Sequence, residues 1–245
     1  MFALHILPIH IPNAIIFGCI MQKNILPDWE LVLSAAARLQ HFIPQAVLVG
    51  GTASAIYARH RFSRDADHVL VDLKDRFDSV LAELESISGW KTARVQRPVQ
   101  ILGSLDGIDT GVRQLIRDVP LETTKVDLGG KKIILPTRPE ILRIKSVLIL
   151  KRNATRDYLD FVALADQMTG NEVIVAMAPF DALYPQPNEE SALQQLQIQL
   201  SNPMPYDLDE NNLSEYKNLD PKWHRWEVVK SACKDWAVTL FDGMG

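Results

Sequence analysis

The 245-residue chain has almost no cysteine, no block of like charge and no uninterrupted apolar run of membrane length. Each shortage removes a class of protein. Its two cysteines, Cys19 and Cys233, stand far apart and without metal-ligand spacing. That excludes a disulfide-stapled scaffold and a zinc site, and a reducing, cytoplasmic setting is the simpler expectation. A formal charge of −4 excludes a strong grip on nucleic acid over the whole surface, although a local basic patch remains compatible with it. Residues 1–20 are apolar and lack Lys and Arg, but Pro8, Pro12, His5 and His10 interrupt them. A membrane span needs about 20 uninterrupted apolar residues, and a secretory signal opens with positive charge and closes on small residues. Neither pattern is present, so no membrane partner is expected. Residues 1–20 are left as an unassigned extension, either non-native or a loosely packed arm.

What remains is an ordinary globular composition, 47% hydrophobic and 23% charged. Apolar periodicity predicts a helix over residues 28–41, a buried strand over 45–49 ending at Gly50 and Gly51, and a second helix over 52–60. A strand over 67–73, a helix over 76–87 and a strand over 92–102 broken near Pro98 follow. After a loop, residues 125–135 read as a hairpin around Gly129 and Gly130. Thr137 and Glu140 have capping-box spacing and open a helix to about Lys151, and another helix covers 156–167. Beyond residue 180 proline, Gln and Asn rise, and two or three helices are expected, the last starting at Asp220-Pro221. The predicted organisation is an α/β (α+β) unit over 21–178, a small mixed sheet flanked by helices, followed by a helical module over 179–245.

The segment with chemical content runs from 47 to 71. A strand ends in two glycines and a helix starts at once. Glycine lets a ligand approach the backbone, and a helix N-terminus offers free N–H groups to phosphate. Twelve residues separate Thr52 from Asp65, enough for a short helix and a return loop. Asp65 and Asp67 then fall at i and i+2 on a strand, which puts both carboxylates on one face. Two hard oxygen ligands opposite a phosphate cradle suit Mg²⁺, which shares its shell with substrate phosphates and water.

In this order and spacing the residues resemble the nucleotidyltransferase superfamily, with Gly-[Gly/Ser], a helix and Asp-x-[Asp/Glu]. More narrowly the chain resembles the AbiEii/AbiGii-type nucleotidyltransferase toxins. Their Arg-x-[Ser/Thr]-x-Asp-x-Asp block matches Arg61, Ser63, Asp65 and Asp67. Their later Lys, Arg and Arg-Asp-x-x-Asp match Lys145, Arg152 and the run Arg156, Asp157 and Asp160. The resemblance covers about residues 45 to 170. It implies Asp65 and Asp67 as metal-holding and catalytic groups, with Lys145 catalytic beside them. Gly50, Gly51, Thr52, Arg61, Ser63, Arg152, Arg156, Asp157 and Asp160 then surround a nucleoside triphosphate. It further implies Mg²⁺ as cofactor, RNA (tRNA first) as acceptor and a cognate antitoxin as partner.

Lys145 has a physical argument of its own. Its helical neighbours Ile141, Leu142, Leu148 and Ile149 are apolar, so its ammonium points into a face that should be buried. An anion must compensate it: a triphosphate, a carboxylate of the metal site, or a structural partner at Asp157 or Asp160. Superfamily members usually carry a third carboxylate on the next strand. The family pattern places it at about Gln100, which can neither accept a proton at neutral pH nor neutralise a metal. Asp106 and Asp109 are the available substitutes. Without one, the alternative is a degenerate nucleotide-binding or interaction protein on the same fold. His68 is expected to point away from Asp67, and His60 has no zinc-site spacing. No nucleophile elbow surrounds Ser63. The stripe Trp226, Val229, Cys233, Trp236 and Leu240 reads as helical core, with Trp223 one turn earlier.

Overall fold

The computed structural model describes residues 26–244; the extension 1–20 and Cys19 lie outside them. The first half follows the expected order. Helix α1 (Leu26–Phe42) leads to β1 (Val47–Leu48), α2 (Gly50–Ala58), β2 (Asp65–Leu70) and α3 (Phe77–Ser86). Along β2 the burial alternates, so Ala66, His68 and Leu70 face the core while Asp65, Asp67 and Val69 face the opposite side.

The region from residue 90 to 114 departs from expectation. Instead of one broken strand and a loop it forms three strands, β3 (Trp90–Gln96), β4 (Gln100–Leu105) and β5 (Ile108–Gln114). The cause is the pair Asp106-Gly107, both at positive φ (53° and 84°), the two-residue turn that matches strand twist. The sheet order is β1-β2-β5-β4-β3, with β2 and β5 parallel and the other pairs antiparallel. The neighbour of β2 is therefore β5, and Gln100 lies one strand further away.

A separate hairpin, β6 (Thr123–Leu128) and β7 (Lys131–Pro136), turns on Gly129-Gly130 as predicted. Helix α4 (Arg138–Arg152) is capped by Thr137, whose hydroxyl accepts the Glu140 N–H at 3.4 Å. The Glu140 carboxylate, however, turns inward to Arg117 at 2.9 Å and Arg143 at 2.7 Å, so the predicted capping box is half formed. Two buried guanidinium groups outbid one exposed backbone N–H for the carboxylate. After α5 (Thr155–Ala165) comes α6 (Gly170–Met177), where Thr169 and Glu172 form the complete box. Then follow α7 (Phe180–Leu183), α8 (Ala192–Ser201) and α9 (Trp226–Met244). Asp220 caps only a 3₁₀ turn, Pro221–Trp223, and the last helix starts later than the sequence suggested, at Trp226.

Two apolar clusters hold these elements. One, beneath the sheet, joins Leu39 and Ile43 of α1 to Val80 and Leu84 of α3 and to Ile101, Leu105 and Val112. The larger runs from Val32 through Ile141, Leu142 and Phe161 to Leu196, Val229, Cys233 and Leu240. The apolar stripe of α9 is thus core, with Trp223 and Trp226 buried beside it. Among the described residues no helix is long and apolar enough to cross a membrane. Because Leu240 is fully buried in the larger cluster, Leu240→Ala should lower unfolding free energy by roughly 2–5 kcal/mol. Urea denaturation checks this; a change within error would mean that α9 is not part of the core.

Candidate active site

The β1–α2 junction creates the first half of the site. Gly50 starts α2 at φ 73°, and Val49 before it provides no side-chain cap, so the first N–H groups of the helix have no side-chain partner there. Gly51 is required by contact. A Cβ built on it would lie 2.6 Å from Arg61 Nη2 and 2.7 Å from Ser63 Oγ. Arg61 and Ser63 therefore lie against the helix end. The Thr52 hydroxyl donates to the Asp65 carbonyl at 2.5 Å, and the Val49 N–H donates to the Asp67 carbonyl at 2.8 Å. These bonds tie the helix start to β2, and Ser63 Oγ donates directly to Asp65 Oδ1. Thr52 is buried and holds the backbone; its side chain does not reach a ligand space.

That space is a cavity of about 620 Å³. Gly50, Gly51, Arg61, Ser63, Asp65 and Asp67 line it together with Lys145, Arg152 and Arg156. Burial and the neighbouring Asp65 raise the Asp67 pKa, against the pull of Arg113, Arg156 and Lys145. Two carboxylates crowded in this way favour a cation between them.

The strand β5 adds residues that the sequence pattern left in a loop. Asp109 pairs in register with Asp65, and Arg113 lies two residues beyond Gly111, the partner of Asp67. Paired residues share a face, and both Asp109 and Arg113 line the cavity. Arg113 Nη2 is 3.9 Å from Asp67 Oδ1. Gln100 is instead a hydrogen-bond partner of Arg113 on β4. Asp106 is held by Arg38 at the turn, outside the cavity lining. Of the two candidate substitutes, Asp109 alone shares the site. The signal that would have found it is the Asp-Gly dipeptide between alternating strands, the strongest short-range mark of a hairpin. Tyr184, Leu121 and Ile116, which give the cavity an apolar end, carry no such local signal.

The buried cations are held by Asp160. Lys145 Nζ lies 2.7 Å from Asp160 Oδ2, Arg61 Nε 2.7 Å from Oδ1, and Arg61 Nη2 3.0 Å from Oδ2. His60 Nε2 is 2.7 Å from Oδ1. Burial alone would raise the Asp160 pKa, but Arg61, Lys145 and His60 outweigh it and hold the carboxyl well below its usual range. Burial lowers the His60 pKa, so the neutral ring donates Nε2–H to the carboxylate. Asp157 plays the same part for Arg152, at 2.5 Å and 2.7 Å, with Lys145 at 3.8 Å. Of the compensating anions open to Lys145, Asp160 is the one in contact. Asp157 and Asp160 lie behind the cations and do not line the cavity. Arg156 lines it and has no hydrogen bond or ion pair among the described residues. His68 points to the core face, where complete burial lowers its pKa to about 4.

Among the described residues no three His, Cys, Asp or Glu side chains converge as a closed metal cage. The donor set still fits Mg²⁺, which needs only one or two carboxylates when substrate phosphate and water complete its shell. Asp65 and Asp67 supply those, and the backbone end of α2 lies beside them, with Gly50 next to Asp67.

Replacing Asp160 should be costly, because it leaves buried cations uncompensated. Asp160→Asn should destabilise the fold by about 3–5 kcal/mol near neutral pH. The folded pKa is depressed, so this stabilisation is present above the unfolded value near 3.9 and is lost as pH falls through the folded value. Urea midpoints measured from pH 7 to pH 2 should therefore converge for the two proteins in acid. Parallel curves would show that Asp160 is not the group responsible.

Comparison with known proteins follows the same lines. The family model described as "Nucleotidyl transferase AbiEii toxin, Type IV TA system" matches residues 31–231. Over 218 residues the chain is 27% identical to the mycolic acid-containing lipids exporter MmpL11 of Mycolicibacterium smegmatis, covering 88% of this chain and 22% of that protein. Over 129 residues it is 33% identical to the heme uptake protein MmpL11 of Mycobacterium tuberculosis, covering 51% of this chain and 13% of that protein. The chain thus spans less than a quarter of these curated relatives. The crystal structure of a putative nucleotidyltransferase from H. pylori superposes with a TM-score of 0.51 at 14% identity, covering 89% of this chain and 96% of that one. It shares the fold. With the family match extending from α1 into α9, this chain belongs to the AbiEii nucleotidyl transferase toxin family.

Proposed function

We propose that the chain is a Mg²⁺-dependent nucleotidyltransferase that moves a nucleoside monophosphate from a triphosphate to an acceptor hydroxyl. The observation that carries this reading is one cavity that gathers carboxylates, a helix N-terminus and cations. Two aspartates of β2 lie beside the open N-terminus of α2, and the guanidinium of Arg156, without a hydrogen bond or ion pair among the described residues, lines the same space. In this reading the backbone N–H groups of Gly50 and Gly51 receive the phosphates, and Arg156 meets the β- and γ-phosphates. Lys145 and Arg152 add positive charge, with Asp160 and Asp157 positioning them from behind. Ser63 fixes the orientation of the Asp65 carboxylate, and Arg61 braces the glycine turn. Asp109, in register with Asp65, is the group placed to take the proton of the attacking hydroxyl as pyrophosphate departs. Mg²⁺ held by Asp65 and Asp67 would supply charge stabilisation for the attacking and departing oxygens.

The acceptor is taken to be an RNA hydroxyl, tRNA first, in a cytoplasmic setting with a cognate antitoxin. Support comes from the family's description as toxins of a toxin–antitoxin system and from the absence of a membrane-length apolar helix among the described residues. Residues 21–178 carry the chemistry in this reading, and the helices of 179–245 buttress α4 and α5 from behind.

The test is incubation of the purified chain with Mg²⁺, each α-labelled nucleoside triphosphate and total RNA. Label should pass to RNA, and Asp65→Ala or Asp67→Ala should reduce transfer by about 4 kcal/mol of barrier, roughly a thousandfold. Asp109→Asn should lower transfer by about 10²–10⁴-fold while leaving triphosphate binding in place. Undiminished transfer in Asp67→Ala would overturn the assignment.

A further inference from the structure

The cavity continues onto the sheet face of β5, β4 and β3, of which the proposed function uses only Asp109 on β5. Cross-strand registers lay it out in rows. Asp67 is followed by Gly111 on β5, Leu102 on β4 and Arg94 on β3. Asp65 is followed by Asp109, Ser104 and Lys91. Each row crosses three strand spacings of about 4.8 Å, so the two basic residues stand roughly 14 Å from the aspartates. The opposite face is covered: Trp90, Ile101 and Leu105 pack into the cluster with α3.

Three features single out Lys91 and Arg94. Both are exposed, and neither has a hydrogen bond or ion pair among the described residues. Arg97, on the same hairpin, is by contrast tied to Asp78 and stacked over Phe77. The register of β3 shifts between Thr92 and Arg94, a bulge of the kind that re-aims side chains, and Ala93 there lines the cavity. Finally, the chain carries a net charge of −4, so an exposed cationic rim beside the carboxylates is a local feature and not part of a generally basic surface.

We propose that the face of β5, β4 and β3 is the track for a single-stranded nucleic-acid acceptor, with Lys91 and Arg94 holding phosphates upstream of the hydroxyl end delivered to Asp109 and the β2 aspartates. This rests on the transferase reading only in that the acceptor's end must reach the carboxylates. The track offers no aromatic side chain on which bases would stack, since Trp90 is turned into the core. Its grip is therefore on the backbone, tolerant of sequence and sensitive to salt.

The probe is a short fluorescent single-stranded RNA, followed by anisotropy over a range of salt in Mg²⁺ buffer. The variant Lys91→Glu, Arg94→Glu is compared with Lys125→Glu, Lys132→Glu on the β6–β7 hairpin, which alters net charge equally. Unchanged thermal melts establish that both are folded. The first pair should weaken binding at least about tenfold and reduce the salt slope by about two, one for each phosphate no longer neutralised. The second pair should change it little. No binding by the parent protein, no effect of the first pair, or equal weakening by both pairs overturns the proposal. Label transfer separates the two readings. RNA binding through Lys91 and Arg94 without any transfer would sink the enzyme and keep the track. Full transfer efficiency in the first variant would do the reverse.

Discussion

A carboxylate with no access to water, that of Asp160, fixes the positions of the groups around the cavity. It binds Arg61 through two contacts and Lys145 through one, and takes a hydrogen bond from neutral His60. Those partners come from two different places, the loop after α2 and the middle of α4. A buried charge is tolerated only when paired and hydrogen-bonded, so these elements cannot drift apart without exposing an uncompensated ion. Arg61, once fixed, lies so near Gly51 that no side chain fits there. The glycine turn, the helix end above it and the aspartates behind it are thereby held as one unit.

The division of charge within the cavity follows from the same arrangement. Arg61 and Lys145 are largely satisfied by Asp160, and Arg152 by Asp157. Arg156 makes no hydrogen bond or ion pair among the described residues, and burial, with the neighbouring Asp65, raises the Asp67 pKa. A site with two crowded carboxylates beside cations fits a ligand carrying both signs, such as a triphosphate with its divalent metal. The satisfied cations give the space its positive background without collapsing onto the carboxylates.

Much of this was legible in the sequence because it is local. The glycine pair, the i, i+2 aspartates and the apolar neighbours of Lys145 each encode geometry within a few residues. The partner of Lys145 was narrowed to a few anions, and only the packing of α5 on α4 selects Asp160. Which carboxylate joins Asp65 and Asp67 in the cavity is narrowed by the sequence only to Asp106 or Asp109, for a different reason. Reading 92–102 as one strand assigned β4 to the position beside β2, although Asp106-Gly107 marked the hairpin that brings β5 there. Glu140 was expected at its own helix end, but two arginines distant in sequence or folded inward, Arg117 and Arg143, drew it into the core. Tyr184 and Leu121 reach the cavity from far along the chain, and no periodicity announces that.

The proposed function requires this cavity to bind a metal–nucleotide pair, with Asp65 and Asp67 on the metal and Arg156 on the phosphates. Calorimetric titration with a nonhydrolysable nucleoside triphosphate analogue, with Mg²⁺ and then with EDTA, tests it before any acceptor is known. The expected result is saturable binding that needs Mg²⁺ and is weakened by Arg156→Ala. Binding indifferent to both Mg²⁺ and Arg156, or no binding at all, would contradict it.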